Sequence, residues 1–300
     1  MKLFLDVGNT RLKWLLLASN NTKKILCAKK GSFPLSDLEF TKKLAEETTF
    51  FKQIKISIAE TNQQLANQLT VDNRSLKTIV WICVAPKLIE KKVVNILCKL
   101  YGKAVPKKII TPINGKLKFE TDWGQVFLKC NYEHPNKFGA DRWAASVGLA
   151  FLGPPSLHIL KKSKEIILVS AGTSTVIDKL IWSRVSQKKW DCELKGGLIL
   201  PGFNQMSLDM KFLNKSLSQN NDQLTHYPKN TTEAINTGIA FSQAFLEKDQ
   251  NKTVVVHGGK SDKWVESYTF FNPTNTKPIK LPWLIFEGLF LINKAKLNTG

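Results

Sequence analysis

Short apolar runs alternate with amphipathic stretches along most of the chain. Residues 78–84 (TIVWICV) are typical of a buried strand, and residues 138–151 place their apolar side chains on one face of a helix. Predicted strands lie at residues 2–7, 11–18, 54–59, 78–84, 107–111, 196–202 and 254–260. Predicted helices lie at residues 35–50, 61–69, 86–101, 138–151, 231–247 and 284–295. Strands that alternate with helices indicate an α/β fold.

One pattern of strand, polar turn and strand occurs twice. In residues 3–14 (LFLDVGNTRLKW) the apolar run is interrupted by Asp6–Thr10, which we call the first turn. In residues 166–182 (IILVSAGTSTVIDKLIW) it is interrupted by Ser170–Ser174, the second turn. When the glycines of the two turns are aligned, the two patterns lie 164 residues apart, about half the chain.

This repetition predicts two related domains, which we place at residues 1–118 and 119–300. The length of 300 residues also favours two domains over one. Two like domains that face each other would enclose a cleft, which is a common place for a ligand.

Composition indicates an ordinary globular protein. Of the residues, 43% are hydrophobic, enough for a core, and no apolar run approaches the roughly 20 residues of a membrane-spanning helix. Charged residues interrupt the amino-terminal stretch, so we expect no secretory signal. The five cysteines are scattered without C-x-x-C spacing, and the four histidines form no cluster. We therefore expect reduced thiols in a cytoplasmic protein, with no zinc site and no membrane partner.

The formal net charge of +20 is the one compositional extreme. Residues 1–119 carry 22 lysines and arginines against 8 acidic residues, so most of the excess lies there. A basic surface could bind nucleic acid. However, the lysines occur singly or as isolated pairs, without an arginine-rich tract or a known nucleic-acid-binding motif. Solvated lysine faces, which also attract anionic substrates, are therefore favoured over a nucleic-acid partner.

The first turn has two interpretations. It could be a β-hairpin in which glycine and asparagine supply the backbone angles of a tight reversal. It could also be an anion cradle, in which backbone N–H groups and hydroxyls surround a phosphate that approaches close to glycine. Asp6 would then hold Mg²⁺ through water, and Lys13 would neutralise the transferring group. The chain has no P-loop or dinucleotide-binding fingerprint, and the residues alone leave both interpretations open.

The stretch GADRW (Gly139–Trp143) begins an amphipathic helix. In a structural interpretation, Asp141 is a favourable acid in the first turn of the helix and Arg142 is a surface residue. In a functional interpretation, Asp141 accepts the proton of a substrate hydroxyl and Arg142 binds a carboxylate or phosphate. Taken alone, these residues favour the structural interpretation.

The order of the motifs resembles that of type III pantothenate kinases, also called Bvg accessory factors. The resemblance extends from residue 3 to residue 289. The motifs in this range are, in order, DVGNTRLK, Y followed by GADRWAA, GTSTVID, GGLILPG, NTTEAINTG, VHGG and LIFEGL. The resemblance implies the superfamily of acetate and sugar kinases, heat-shock chaperones and actin. Its fold is α/β, with two duplicated actin-like (ribonuclease H-like) domains around a central ATP cleft.

The function implied by the resemblance is ATP-dependent phosphorylation of pantothenate to 4′-phosphopantothenate, the first step of coenzyme A synthesis. The cofactors would be ATP and Mg²⁺, and the protein would be a cytoplasmic homodimer. Two other hypotheses stay open: a non-catalytic regulatory or nucleic-acid-associated protein on the same fold, and a related sugar-type kinase.

The resemblance also assigns roles to residues. Asp141 would accept the proton from the primary hydroxyl of pantothenate as that hydroxyl attacks the γ-phosphate. ATP would be bound by Asp6, Val7, Gly8, Asn9, Thr10, Arg11, Leu12, Lys13 and Thr173. Pantothenate would be bound by Tyr132, Gly139, Ala140, Asp141, Arg142 and Thr231.

One position departs from the family pattern. The second turn of the family usually begins with an aspartate that binds K⁺ or NH₄⁺, and this chain has Ser170 there. A neutral hydroxyl is a weaker cation ligand than a carboxylate. We therefore expect weak or absent potassium dependence.

Overall fold

A computed structural model describes most of the chain. The described residues are 1–19, 25–35, 49–65, 75–100, 105–108, 115–156, 165–213, 224–244, 252–273 and 277–297. They form two compact units, each assembled from separate segments of the chain. The first unit is Met1–Thr111, Lys137–Gly148 and Ile285–Gly300, and the second is Pro112–Asn136 and Leu149–Leu284. The division into contiguous domains at residues 1–118 and 119–300 stays a prediction.

A five-stranded sheet forms the centre of the first unit. Its strands are β1 (Lys2–Val7), β2 (Arg11–Ser19), β3 (Ile25–Pro34), β4 (Thr78–Cys83) and β5 (Val105–Lys108), in the order β3-β2-β1-β4-β5. The pairs β1/β2 and β2/β3 are antiparallel, and the pairs β1/β4 and β4/β5 are parallel. Helices α1 (Thr49–Gln64) and α2 (Lys87–Leu100) contribute Ile54 and Leu97 to the same buried core as Leu5 of β1.

The second unit contains a seven-stranded sheet. Its strands are β6 (Lys116–Thr121), β7 (Gly124–Cys130), β8 (Glu165–Ala171), β9 (Ser174–Ser186), β10 (Lys189–Pro201), β11 (Thr253–His257) and β12 (Ile279–Lys280). They lie in the order β12-β11-β8-β9-β10-β7-β6. The remaining helices are α3 (Ala140–Ser156), α4 (Phe203–Leu213), α5 (Thr231–Ala244), α6 (Ser261–Phe271) and α7 (Leu284–Leu297).

The strand pairings of the first sheet recur within the second. Strand β8 pairs antiparallel with β9 and parallel with β11, as β1 does with β2 and β4. Strands β10 and β12 take the places of β3 and β5, with the same relative directions. The predicted α/β fold and its duplication are therefore confirmed, and the two turns occupy equivalent positions, between β1 and β2 and between β8 and β9.

Contacts of α7 hold the start of α3 in the first unit. A Cβ atom on Gly288 of α7 would lie 1.8 Å from the carbonyl oxygen of Ala144 on α3, so the close approach of the two helices requires glycine. The ring of Phe290, also on α7, lies with its centroid 6.2 Å from that of Phe4 on β1. One helix thus packs against β1 and α3, two of the elements that carry candidate site residues.

The predicted strand at residues 54–59 is wrong, because these residues lie within α1. The isoleucines at 54, 56 and 58 alternate as in a strand. The buried positions, however, are Ile54, Ser57 and Thr61, which follow helical spacing, while Ile56 is 55% exposed. Packing in the folded protein therefore determines that this segment is a helix rather than a strand.

Most other predicted elements match observed ones to within a few residues, although parts of them lie outside the described residues. These parts are 36–48, 66–69, 101, 109–111 and 245–247. Strands β3, β6, β7 and β12 and helices α4 and α6 were not predicted. Among the described residues, we find no helix with both the length and the apolarity needed to span a membrane.

Candidate active site

A buried carboxylate stands at the start of the first turn. Asp6, on β1, is 4% exposed, and its antiparallel partner in the ladder is Lys13 on β2. The Lys13 Nζ atom lies 3.3 Å from Asp6 Oδ2. A lysine partner offsets the desolvation of a buried carboxylate. The backbone N–H of Gly8 donates to the carbonyl of Arg11 at 3.0 Å and closes the hairpin.

The second turn is closed in the same way, by a hydrogen bond of 3.0 Å from the N–H of Gly172 to the carbonyl of Ser174. Both predicted hairpins are confirmed, but neither turn glycine has a positive φ. A Cβ on Gly172 would meet its nearest heavy atom at 3.7 Å, an ordinary contact. The expectation that the glycine of the first turn, Gly8, supplies a special backbone angle is therefore wrong.

The motif GADRW forms the first turn of α3. The carbonyl of Gly139 accepts the N–H of Trp143 at 2.9 Å, and Asp141 Oδ1 accepts the N–H of Arg142 at 2.8 Å. Arg142 is 6% exposed, and its guanidinium carbon lies 4.2 Å from the centre of the Phe138 ring. The interpretation of Arg142 as a surface residue is wrong, because the guanidinium is packed on this aromatic face.

The environment of Asp141 favours its protonated form. Burial is the largest cause that raises the pKa of this carboxyl, and the negative charge of Asp6 raises it further. The backbone N–H and the charge of Arg142 act in the opposite direction, but the pKa stays above its ordinary value. A carboxylate with a raised pKa is a stronger proton acceptor than an ordinary aspartate. This shift could not be predicted from the sequence, because it depends on burial and on Asp6, a residue distant in the sequence.

A buried histidine contacts the second turn. Ser170 and His257 are partners in the parallel register of β8 and β11, and Ser170 Oγ and His257 Nε2 share a hydrogen bond of 2.5 Å. His257 is 3% exposed. In the first unit the equivalent register partner of Asp6 is Ile82, an apolar side chain. His257 is part of the VHGG motif, but the sequence alone predicted no role for this residue.

Two glycines let other backbone segments reach the second turn. The N–H of Gly202 donates to the carbonyl of Thr173 at 3.0 Å, and a Cβ on Gly202 would lie 2.4 Å from that oxygen. Gly258 has a φ of 103°, and its Cβ would lie 2.3 Å from the carbonyl oxygen of Ala171. These approaches explain the last glycine of GGLILPG and the first glycine of VHGG. The side chain of Thr173 is exposed.

Tyr132 and Thr231 belong to the second unit. Tyr132 is exposed in the loop after β7, beside Asn131, whose N–H donates to the carbonyl of Leu194 at 2.9 Å. Thr231 is the first residue of α5, and Asn230 Oδ1 caps that helix by accepting the N–H of Glu233 at 2.9 Å.

The predicted site residues are thus divided between the units. Asp6–Lys13 and Gly139–Arg142 are in the first unit, while Tyr132, Thr173 and Thr231 are in the second.

The charged groups of the first turn suit a magnesium–phosphate ligand. Within the described part of the chain, no three His, Cys, Asp or Glu side chains could together hold a metal ion. Mg²⁺ in phosphoryl-transfer sites is usually held by one or two carboxylates, waters and substrate phosphates, so it requires no such cluster. Asp6, a nearly buried carboxylate beside a backbone turn, fits this kind of binding.

The amino-acid sequence matches the type III pantothenate kinase family over residues 2–250. The chain belongs to this family. The expected family and enzyme class are therefore confirmed: this is a kinase, and the family implies ATP and a divalent metal ion.

Related type III pantothenate kinases include that of Azoarcus sp., 31% identical over 56% of this chain and 58% of that protein. The type III pantothenate kinase of Polaromonas sp. is 25% identical over 97% of this chain and 96% of its own length. A solved structure from Campylobacter jejuni, described as belonging to the Baf family of transcriptional activators, has a TM-score of 0.52 and 19% identity. The similarity covers 99% of this chain and 99% of the Campylobacter jejuni chain. This last similarity shows the fold alone.

Proposed function

We propose that the chain transfers the γ-phosphoryl group of ATP to the primary hydroxyl of pantothenate and forms 4′-phosphopantothenate. The family supports both substrates. The observation that carries the proposal for this chain is Asp141, a carboxylate with a raised pKa at the start of α3.

In the proposed reaction, the substrate hydroxyl oxygen forms a bond to the γ-phosphorus while the bond from that phosphorus to the ADP oxygen breaks. Asp141 accepts the hydroxyl proton, and ADP leaves with the electron pair. Phosphoryl transfer depends mainly on positioning and charge neutralisation. The hydrogen bond from the N–H of Arg142 fixes the Asp141 carboxylate for this role.

The two turns are proposed to bind the ATP phosphates. Since neither Gly8 nor Gly172 has a positive φ, we interpret the glycines as bare backbone that a phosphate can approach closely. Lys13 would neutralise phosphate charge, and Asp6 would hold Mg²⁺ through water. When bound, this ion supplies further neutralisation of the phosphate oxygens. Thr173 would contact ATP from the second turn.

Pantothenate is proposed to contact Tyr132, Gly139–Arg142 and Thr231. Pantothenate is a carboxylate, and a guanidinium suits a planar anion of this kind. Packing on Phe138 restricts the Arg142 guanidinium before substrate binds.

The enzyme should work equally well with sodium and with potassium. The family's cation-binding aspartate is replaced by Ser170, and the Ser170 hydroxyl is held by His257 rather than directed to an ion. We expect turnover to be unchanged when K⁺ replaces Na⁺ at constant ionic strength, with choline chloride as the salt control. Strong activation by potassium would contradict this prediction.

A matched variant tests the assignment to Ser170 itself. Because the hydroxyl is not expected to be a cation ligand, Ser170→Ala should also respond equally to the two salts. If this variant differs from the native protein in its response to potassium, Ser170 takes part in cation binding and the account is wrong at this position.

We also propose that the protein is a homodimer in the cytoplasm. The second unit exposes several large apolar side chains, which on a monomer would be unfavourable in water but could be covered by a second copy. They are Leu198, Ile199, Leu208, Phe212 and Tyr227.

A panel of hydroxyl substrates tests the proposed reaction against its alternatives. With Mg²⁺ and radiolabelled ATP, we expect transfer of label to pantothenate and none to hexose sugars. Transfer to a sugar but not to pantothenate would indicate a sugar-type kinase. The absence of any transfer, together with salt-sensitive binding to DNA or RNA, would indicate the nucleic-acid hypothesis.

A further inference from the structure

Gln243 on α5 is a buried polar residue for which the proposed reaction has no role. Its side chain is 0% exposed. A buried amide is unfavourable unless its donor and acceptor groups are satisfied, so its partners should show what holds it there.

The amide of Gln243 joins two separate strands. Gln243 Oε1 accepts a hydrogen bond from the hydroxyl of Thr175, which is itself fully buried on β9. Gln243 Nε2 donates to the carbonyl of Pro201, at the end of β10, at 2.8 Å. The backbone carbonyl of Gln243 accepts the indole N–H of Trp264 at 2.9 Å, which anchors this part of α5 to α6.

Both strand segments adjoin the second turn. Thr175 follows the turn directly on β9. Pro201 precedes Gly202, whose N–H donates to the carbonyl of Thr173 within the turn. Pro201 is also the register partner of Ser174. The Gln243 amide therefore ties together the chain segment that leaves the turn and the segment that packs on it.

We propose that Gln243 is a positioning residue that holds the second turn in the conformation that binds ATP. The inference rests on the proposed role of Thr173 and its turn in ATP binding. An amide suits the position because it accepts from Thr175 and donates to a carbonyl at once. A methionine side chain of similar size could do neither, and a glutamate could only accept when ionised.

The effect should be specific to ATP. Thr231, in the proposed pantothenate site, is 12 residues before Gln243 on the same helix. At the α-helical rise this separation is about 18 Å. Loss of the Gln243 contacts should therefore disturb the turn without disturbing Thr231.

The test compares steady-state kinetics of Thr175→Val, Thr175→Ser and Gln243→Met. We expect Thr175→Val and Gln243→Met each to raise the KM for ATP by about tenfold, a loss typical of one well-placed polar contact. The KM for pantothenate should stay unchanged. Thr175→Ser keeps the hydroxyl and should retain the native KM for ATP. The double variant should be no worse than Gln243→Met alone, because that change already removes the contact with Thr175.

Provided that the native enzyme phosphorylates pantothenate, either of two results would overturn the inference. One is a native KM for ATP in Thr175→Val, and the other is an equal rise in the KM values for ATP and for pantothenate. Failure of the native enzyme to use ATP would instead overturn the proposed function. If Gln243→Met does not fold, the comparison of Thr175→Val, which is nearly isosteric, with Thr175→Ser, which keeps the hydroxyl, still decides the matter.

Discussion

Asp141→Asn is expected to lower kcat by about 10²- to 10⁴-fold, the range usual for loss of a general base. Asparagine keeps the shape of the side chain and can still accept the N–H of Arg142, but it cannot take the hydroxyl proton. Asp122→Asn, at an exposed position in the turn between β6 and β7, is the control and should keep native activity. Native turnover in Asp141→Asn would contradict the assigned role.

The same variant should not lose stability at neutral pH. The pKa of Asp141 is raised in the folded protein above its unfolded value, so folding is disfavoured by ionisation of this group. The cost is present at pH values above the raised pKa and disappears as the pH falls through it. Removing the charge should therefore leave the Tm at pH 7 to 8 equal or higher, with a difference that shrinks in acid. A clear fall in Tm at neutral pH would show that the ionised carboxylate stabilises the fold.

The second large effect is expected for Asp6→Asn. This change removes the carboxylate proposed to hold Mg²⁺ and leaves Lys13 without the partner that lies 3.3 Å away. Loss of one preorganised electrostatic group of this kind typically costs about 10²- to 10³-fold in kcat. We expect a fall of this size in turnover, together with a weaker dependence on Mg²⁺ concentration.

The pH dependence of the residual activity of Asp6→Asn provides a second measurement. Because the charge of Asp6 raises the pKa of Asp141, its removal should shift the acid limb of the kcat/KM profile to lower pH. In the native enzyme that limb should lie above the ordinary aspartate pKa of about 3.9. Glu90→Gln, on α2 of the same unit, removes the same charge and should leave the limb unshifted. An unshifted limb in Asp6→Asn would mean that the two carboxylates are not coupled.

The repeated strand and turn pattern was enough to predict the duplicated fold, because strand alternation and turn chemistry are local properties. The order of motifs then indicated the family. Local patterns failed at residues 54–59, where isoleucines at alternate positions fit a strand as well as a helix and only the packing of Ile54 against the sheet decides.

The polar contacts that support the second turn could not be predicted from the sequence. Ser170 and His257 are 87 residues apart in the sequence, and Thr175 and Gln243 are 68 apart. Neither pair has a spacing that a short motif could reveal, since each contact depends on which strands and helices become neighbours. The raised pKa of Asp141 could not be predicted from the sequence for the same reason.

The most direct test of the proposed reaction is chemical identification of its product. Purified protein is incubated with ATP, Mg²⁺ and pantothenate, and the products are identified by ³¹P nuclear magnetic resonance and mass spectrometry, with Asp141→Asn as the background. We predict that 4′-phosphopantothenate and ADP form in equal amounts with the native protein and almost not at all with the variant. ADP formation without a phosphorylated pantothenate, or equal product from both proteins, would contradict the account.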